Sequence, residues 1–133
     1  MTARTSSVVW LETLGRGDVA LVGGKNASLG EMVRHLTGQG VKVPAGFATT
    51  ADAYWRFVEA NGLRDTLSGS LNDFETGKLA LAEAGSCVRR AFLHGTWPDQ
   101  LAASIADAYQ ELGRRSGRSE PDVAVRSSAT AEV

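Results

Sequence analysis

Apolar residues recur at helical spacing along much of this chain. Leu29, Met32, Val33 and Leu36 fall three or four apart and predict one apolar helix stripe. Asn26, just after the Gly23-Gly24 turn, is the expected N-cap of that helix, and Gly38 and Gly40 end it. Tyr54, Phe57 and Val58 mark the inner face of a second helix, which Asn61-Gly62 closes. Thr49 or Thr50 opens it, and Thr49-x-x-Asp52 resembles a capping box. In the middle third, Leu81, Ala84, Val88, Ala91 and Phe92 line one side of a helix ending near Gly95. Pro98 suits the first position of the next, which carries Leu101, Ile105, Ala108 and Leu112.

Strand patterns are fewer. Val8-Val9-Trp10-Leu11 is short and β-prone and reads as an opening strand. Val41-Lys42-Val43-Pro44 reads as a short extended segment that Gly46-Phe47-Ala48 continues; Pro44 confines it to an edge or a turn. Val123-Ala124-Val125 is apolar and β-prone, so Arg126 is expected to leave the end of a strand. Residues 15–18 read as a loop, and residues 113–121 as a polar surface loop. The pattern predicts a mixed α/β (α+β) unit of several helices with a small sheet. Residues 1–7 are polar and are expected to form a disordered tail. No repeat, low-complexity tract or clear interdomain linker is visible.

The sequence has 133 residues, 43% of them hydrophobic, which suits about one domain with its own core. With 14 basic and 15 acidic residues the net charge is -1, so neither nucleic acid nor a membrane is an expected partner. Arg114, Arg115 and Arg118 read as a solvated loop cluster. No apolar run reaches the roughly 18 residues a membrane span needs, and no signal-peptide core is seen, so a cytoplasmic protein is expected. Asn26-Ala27-Ser28 matches a glycosylation sequon, which carries no weight without secretion. The one cysteine, Cys87, falls in an apolar helical pattern and reads as a buried, inert thiol. His35 and His94 have no partners at ligand spacing, so no metal site is expected, and neither Glu31 nor Glu132 reads as a general base. Trp10, Trp55 and Trp97 read as core or half-buried residues.

Two motifs carry candidate chemistry. In Val22-Gly23-Gly24-Lys25-Asn26, the glycines allow close backbone approach, the helix start offers N–H groups, and Lys25 adds a mobile charge. Such a turn also arises for purely structural reasons. It is not a Walker A loop, because Val19 and Asn26 stand where that motif needs Gly and Ser or Thr. About a hundred residues later, Arg126 is followed by Ser127, Ser128 and Thr130. A guanidinium can hold two phosphate oxygens at once, and small hydroxyls can donate to phosphate. Equally, such an arginine can pair with a carboxylate while the serines serve a turn.

Taken together, three segments resemble the start of the phosphoenolpyruvate synthase family, within the wider pyruvate phosphate dikinase group. They are Gly23-Gly24-Lys25-Asn26-Ala27-Ser28-Leu29-Gly30-Glu31-Met32, the run from Val43-Pro44-Ala45-Gly46-Phe47 to Tyr54, and Ala124-Val125-Arg126-Ser127-Ser128-Ala129-Thr130-Ala131-Glu132. The resemblance implies that residues 8–133 are part of an ATP-binding domain, the first subdomain of an ATP-grasp fold. It implies that Lys25 and Arg126, with Gly23, Gly24, Ser127 and Ser128, face the ATP phosphates. It also implies a reaction in which ATP, pyruvate and water give phosphoenolpyruvate, AMP and phosphate through a histidine on a separate domain, with magnesium held outside this chain. Family members are several times longer and continue after the Ala-Glu pair with Asp, where Val133 stands here. The chain is therefore expected to be a piece cut short at its C-terminus, with no catalytic residue of its own and no turnover alone. A non-catalytic phosphate-binding module, or a piece of a rifampicin phosphotransferase or pyruvate phosphate dikinase, are the alternative readings.

Overall fold

A computed structural model describes residues 6–131. The described chain is mostly helical with one two-stranded sheet, as the apolar spacing predicts. It divides into two compact units: residues up to Tyr54 with those from Asp99 onward, and Trp55–Pro98 between them in sequence. The first five residues of the expected tail lie outside the described residues. Ser7 is buried, and its carbonyl accepts the Thr50 N–H at 3.0 Å.

In the first unit, β1 (Val8–Trp10) and β2 (Phe47–Thr49) pair antiparallel, with Val9 opposite Ala48 and Trp10 opposite Phe47. The aromatic pair packs edge to face at 5.6 Å. Residues 41–46, expected to be extended at an edge or a turn, form no strand; the strand begins at Phe47, just after the Gly46 carbonyl accepts the Leu11 N–H at 3.0 Å. A 3-10 turn at Leu11–Thr13 takes Leu11 out of the expected strand, and a second at Arg16–Asp18 stands where a loop was expected and leads into α1 (Val19–Val22). α2 (Gly24–Leu36) packs on the first of these turns. Leu11, Leu14, Val22 and Ala48 form the core, with Val9, Leu21, Leu29 and Val33 packed against them. The α2 stripe is thus narrower than its spacing suggests. Met32 is exposed, and Ala27 and Gly30 are buried instead. Gly30 has a packing role, since a Cβ there would sit 2.6 Å from Leu14 Cβ.

α3 (Ala51–Ala60) opens on Thr50, whose Oγ1 accepts the Ala53 N–H at 3.1 Å. Thr50, rather than Thr49, is therefore the cap. The second unit holds the rest of α3, α4 (Arg64–Glu75) and α5 (Leu81–Leu93). Phe57, Val58, Leu63 and Ala84 are buried. Phe57 stacks on Phe92 and meets Trp97 edge to face. Asn61 answers both backbone groups of Thr96, accepting its N–H at 2.7 Å and donating to its carbonyl at 3.0 Å. Cys87 is half-buried in α5 as a free thiol.

The chain then returns to the first unit as α6 (Asp99–Ser116), which begins just after Pro98 and buries Leu101, Ala108 and Leu112. It also runs through Gly113 to Ser116, well into the expected loop. Tertiary packing explains this. Gly113 is buried where a Cβ would meet the Arg118 carbonyl at 2.5 Å, and the Tyr109 hydroxyl donates to the Pro121 carbonyl at 2.9 Å. The helix stops at Gly117, with φ 71, where the Arg118 N–H returns to the Gly113 carbonyl. Arg115 is therefore helical. It lies 3.7 Å over the Trp10 ring and 2.7 Å from the Glu12 carboxylate, so it fastens α6 to the start of the unit.

Gly30→Ala is expected to lower stability by about 1–3 kcal/mol, because the added methyl has no room against Leu14. Urea denaturation checks this, and an unchanged midpoint would rule out the close packing of α2 on that turn.

Candidate functional site

Gly23 separates α1 from α2. Its N–H closes α1 on the Val19 carbonyl at 2.8 Å, and its backbone then turns at φ 85, ψ 163 into the first residue of α2. That region is open essentially to glycine alone. A second demand falls on the same atom. A Cβ at Gly23 would collide with Ser128 Oγ and lie 2.9 Å from the Ala129 nitrogen.

Ser128 and Ala129 lie across the first turn of α2. The Gly24 N–H donates to the Ala129 carbonyl at 3.1 Å, and the Asn26 N–H donates to Ser128 Oγ at 3.3 Å. A hydroxyl 102 residues away thus does what an N-cap side chain does, satisfying an orphan donor of the first turn. Gly23 is the N-cap residue and Asn26 lies inside the helix. The Asn26 side chain turns back instead and donates to the Val22 carbonyl at 3.1 Å. This corrects both the expected cap and the expected supply of open first-turn N–H groups, two of which the chain itself engages.

The contact brings together the two motifs that the sequence keeps a hundred residues apart. Lys25 is exposed as the second residue of α2, between the two residues whose N–H groups bind Ser128 and Ala129. Arg126 and Ser127 are exposed and precede Ser128 directly. At 3.8 Å per residue, the Arg126 Cα lies within about 8 Å of the Ser128 Cα. Neither 23–28 nor 124–131 contains an acidic residue, so the two segments that meet here carry one lysine and one arginine and no carboxylate of their own. Arg126 does not leave a strand. Residues 121–129 are irregular, and Val125 is 91% exposed. Among the described residues no strand runs beside them, and β propensity without a pairing neighbour does not make a strand.

Glu31, in the same motif, works on the loop before it. Its carboxylate accepts the Arg16 N–H at 2.6 Å and lies 2.9 Å from His35 Nε2. The Arg16 N–H holds the carboxyl below its ordinary value of 4.5; burial opposes this, while His35 and Arg34 add to it. The i, i+4 spacing to His35 was readable in sequence, but the Arg16 contact was not. Two surface depressions, at residues 37–44 and 110–119, include none of the expected phosphate-facing residues. Among the described residues no group of three or more His, Cys, Asp or Glu gathers as a metal site, and no helix is long and apolar enough to cross a membrane.

Comparison with known proteins adds chemistry to this geometry. Residues 19–132 match the family described as pyruvate phosphate dikinase, AMP/ATP-binding domain, a span that includes both motifs. The phosphoenolpyruvate synthase of Synechocystis sp. is 47% identical over 96% of this chain. That of Neisseria meningitidis is 48% identical over 94%, and that of Escherichia coli 42% over 94%. The chain spans 16% of the length of each of these relatives.

Gly23→Ala is expected to cost about 2–4 kcal/mol, combining backbone strain with the clash on Ser128. Ser128→Ala should cost about 1 kcal/mol, as the loss of a cap does. Chemical denaturation of both variants checks the order, and an equal or reversed order would contradict the contact. The Glu31 contribution to stability should be complete above about pH 4.5 and fade as pH falls through its depressed folded value. The urea midpoint should therefore fall less steeply between pH 6 and pH 3 in Glu31→Gln than in the parent; parallel curves would exclude this.

Proposed function

This chain belongs to the pyruvate phosphate dikinase AMP/ATP-binding domain family, and from that premise we propose that it forms the phosphate-facing part of an ATP site in a phosphoenolpyruvate-forming dikinase. The observation that carries the reading is the docking of the Lys25 turn on the Arg126 segment through Gly24, Asn26, Ser128 and Ala129. The reaction is the one that the resemblance to phosphoenolpyruvate synthases implies: ATP, pyruvate and water giving phosphoenolpyruvate, AMP and phosphate by way of a phosphohistidine; relatives of that name are 47% and 48% identical to this chain.

Each residue has a distinct part. Lys25 brings a mobile point charge to the phosphate chain, and Arg126 brings a planar fork that binds two oxygens. Ser127 is an exposed hydroxyl donor beside that fork. Ser128 accepts from Asn26, which leaves its own O–H able to donate to a phosphate oxygen. Gly23 and Gly24 hold the turn close enough for this approach. Phosphoryl transfer is mainly a matter of positioning and charge neutralisation, so two cations on one polyphosphate stabilise charge as it moves to the leaving oxygen.

In this reading the unit is the first subdomain of an ATP-grasp fold and works in the cytoplasm. The phosphohistidine and the pyruvate site belong to parts of the longer protein that this chain does not span. Magnesium would assist at the phosphates, and no step here depends on it.

Calorimetric titration with ATP tests the reading. Lys25→Ala and Arg126→Ala should each weaken binding about tenfold or more, as loss of a charged hydrogen bond does. Lys42→Ala, an exposed lysine outside both motifs, should bind like the parent. Equal affinity in all four proteins would overturn the assignment.

A further inference from the structure

We propose that Ser128 is a positioning residue that sets Arg126 against Lys25. The inference rests on the nucleotide reading above and deepens it. Arg126 sits in an irregular, exposed segment with no neighbouring strand among the described residues. Nothing in the segment's own backbone pattern fixes where that guanidinium stands. Two residues further on, the chain is held at two points, by Asn26 N–H on Ser128 Oγ and Gly24 N–H on Ala129 O. Those donors flank Lys25 on both sides in sequence. The clamp therefore references Arg126 to the residue that carries the other cation.

The glycine at 23 fits this role. Its missing Cβ leaves the space that Ser128 Oγ occupies, so the hydroxyl reaches past the N-cap to the third residue of the helix. Ala129 contributes through its backbone carbonyl, which almost any residue could supply. Ser128 contributes through its side chain and is the member of the clamp whose identity matters.

The two cations depend on the clamp differently. Lys25 is part of α2, whose first turn still has the Gly24 N–H on the Ala129 carbonyl and the Ala27 N–H on the Gly23 carbonyl when the Ser128 hydroxyl is gone. Arg126 keeps its place only while the segment is tied down. Loss of the hydroxyl should therefore remove the contribution of Arg126 and spare that of Lys25. A general loss of stability would weaken both alike.

ATP binding is measured by calorimetry for Ser128→Ala and Ser128→Thr. It is also measured for Lys25→Ala and Arg126→Ala, each alone and each combined with Ser128→Ala. Circular dichroism confirms that each protein is folded. Ser128→Ala should weaken binding about fivefold to tenfold, and Ser128→Thr, which keeps the oxygen, should recover most of it. When Ser128→Ala is already present, Arg126→Ala should cost less than about twofold more, while Lys25→Ala should still cost about tenfold. The proposal is overturned if Ser128→Ala binds like the parent, if Arg126→Ala costs the same with and without Ser128→Ala, or if both cations lose their effect together. If Lys25→Ala and Arg126→Ala bind like the parent with Ser128 intact, the nucleotide reading itself falls.

Discussion

The structure depends on one long-range contact, the seating of Ser128 and Ala129 on the first turn of α2. A free helix start has orphan N–H groups, and it usually finds a cap within its own preceding residues. Here the preceding residue is glycine and offers no side chain. The cap comes instead from the other end of the sequence, which makes helix termination and the closure of the unit a single event. Bringing such distant residues together costs about 4 kcal/mol in loop entropy beyond a constant term. Two hydrogen bonds cannot repay that alone, and α6 shares the burden through Arg115 on Trp10 and its buried Leu101, Ala108 and Leu112.

This contact also changes the meaning of the glycines. In sequence, Gly23-Gly24 suggests room for a phosphate. In the fold, Gly23 meets a backbone requirement at φ 85 and a packing requirement against Ser128 at once. The two explanations are compatible, because the segment that approaches so closely carries Arg126 only two residues before Ser128. Glu31 shows the same economy on the opposite side of the motif. Its carboxylate holds the Arg16 backbone and so steadies the 3-10 turn that leads into α1.

Much of the fold was legible because it rests on short-range pattern. The apolar spacing of Leu101, Ala108 and Leu112 placed α6, the β-prone run at Val8 placed β1, and Asn61-Gly62 closed α3. The misses share one cause, which is tertiary context. Val123-Ala124-Val125 has strand chemistry but no partner beside it among the described residues. Gly113 should have ended a helix, and close packing carried the helix through it. Asn26 is a good cap by type, but the chain already had one in Ser128. Of the candidate site, the two segments could be read, and the structure shows them in contact. The clamp that joins them could not, because nothing local marks a serine as the cap of a helix a hundred residues earlier.

The division of the chain carries a consequence for its synthesis. The helical unit Trp55–Pro98 is one uninterrupted stretch, whereas the other is assembled from segments on both sides of it. On a ribosome the uninterrupted stretch can fold as soon as it emerges. The unit that holds Lys25 must wait for α6 and for residues 128 and 129 before α2 gains its cap. Until then the nascent chain carries an open helix start with the segment that will close it still to be translated.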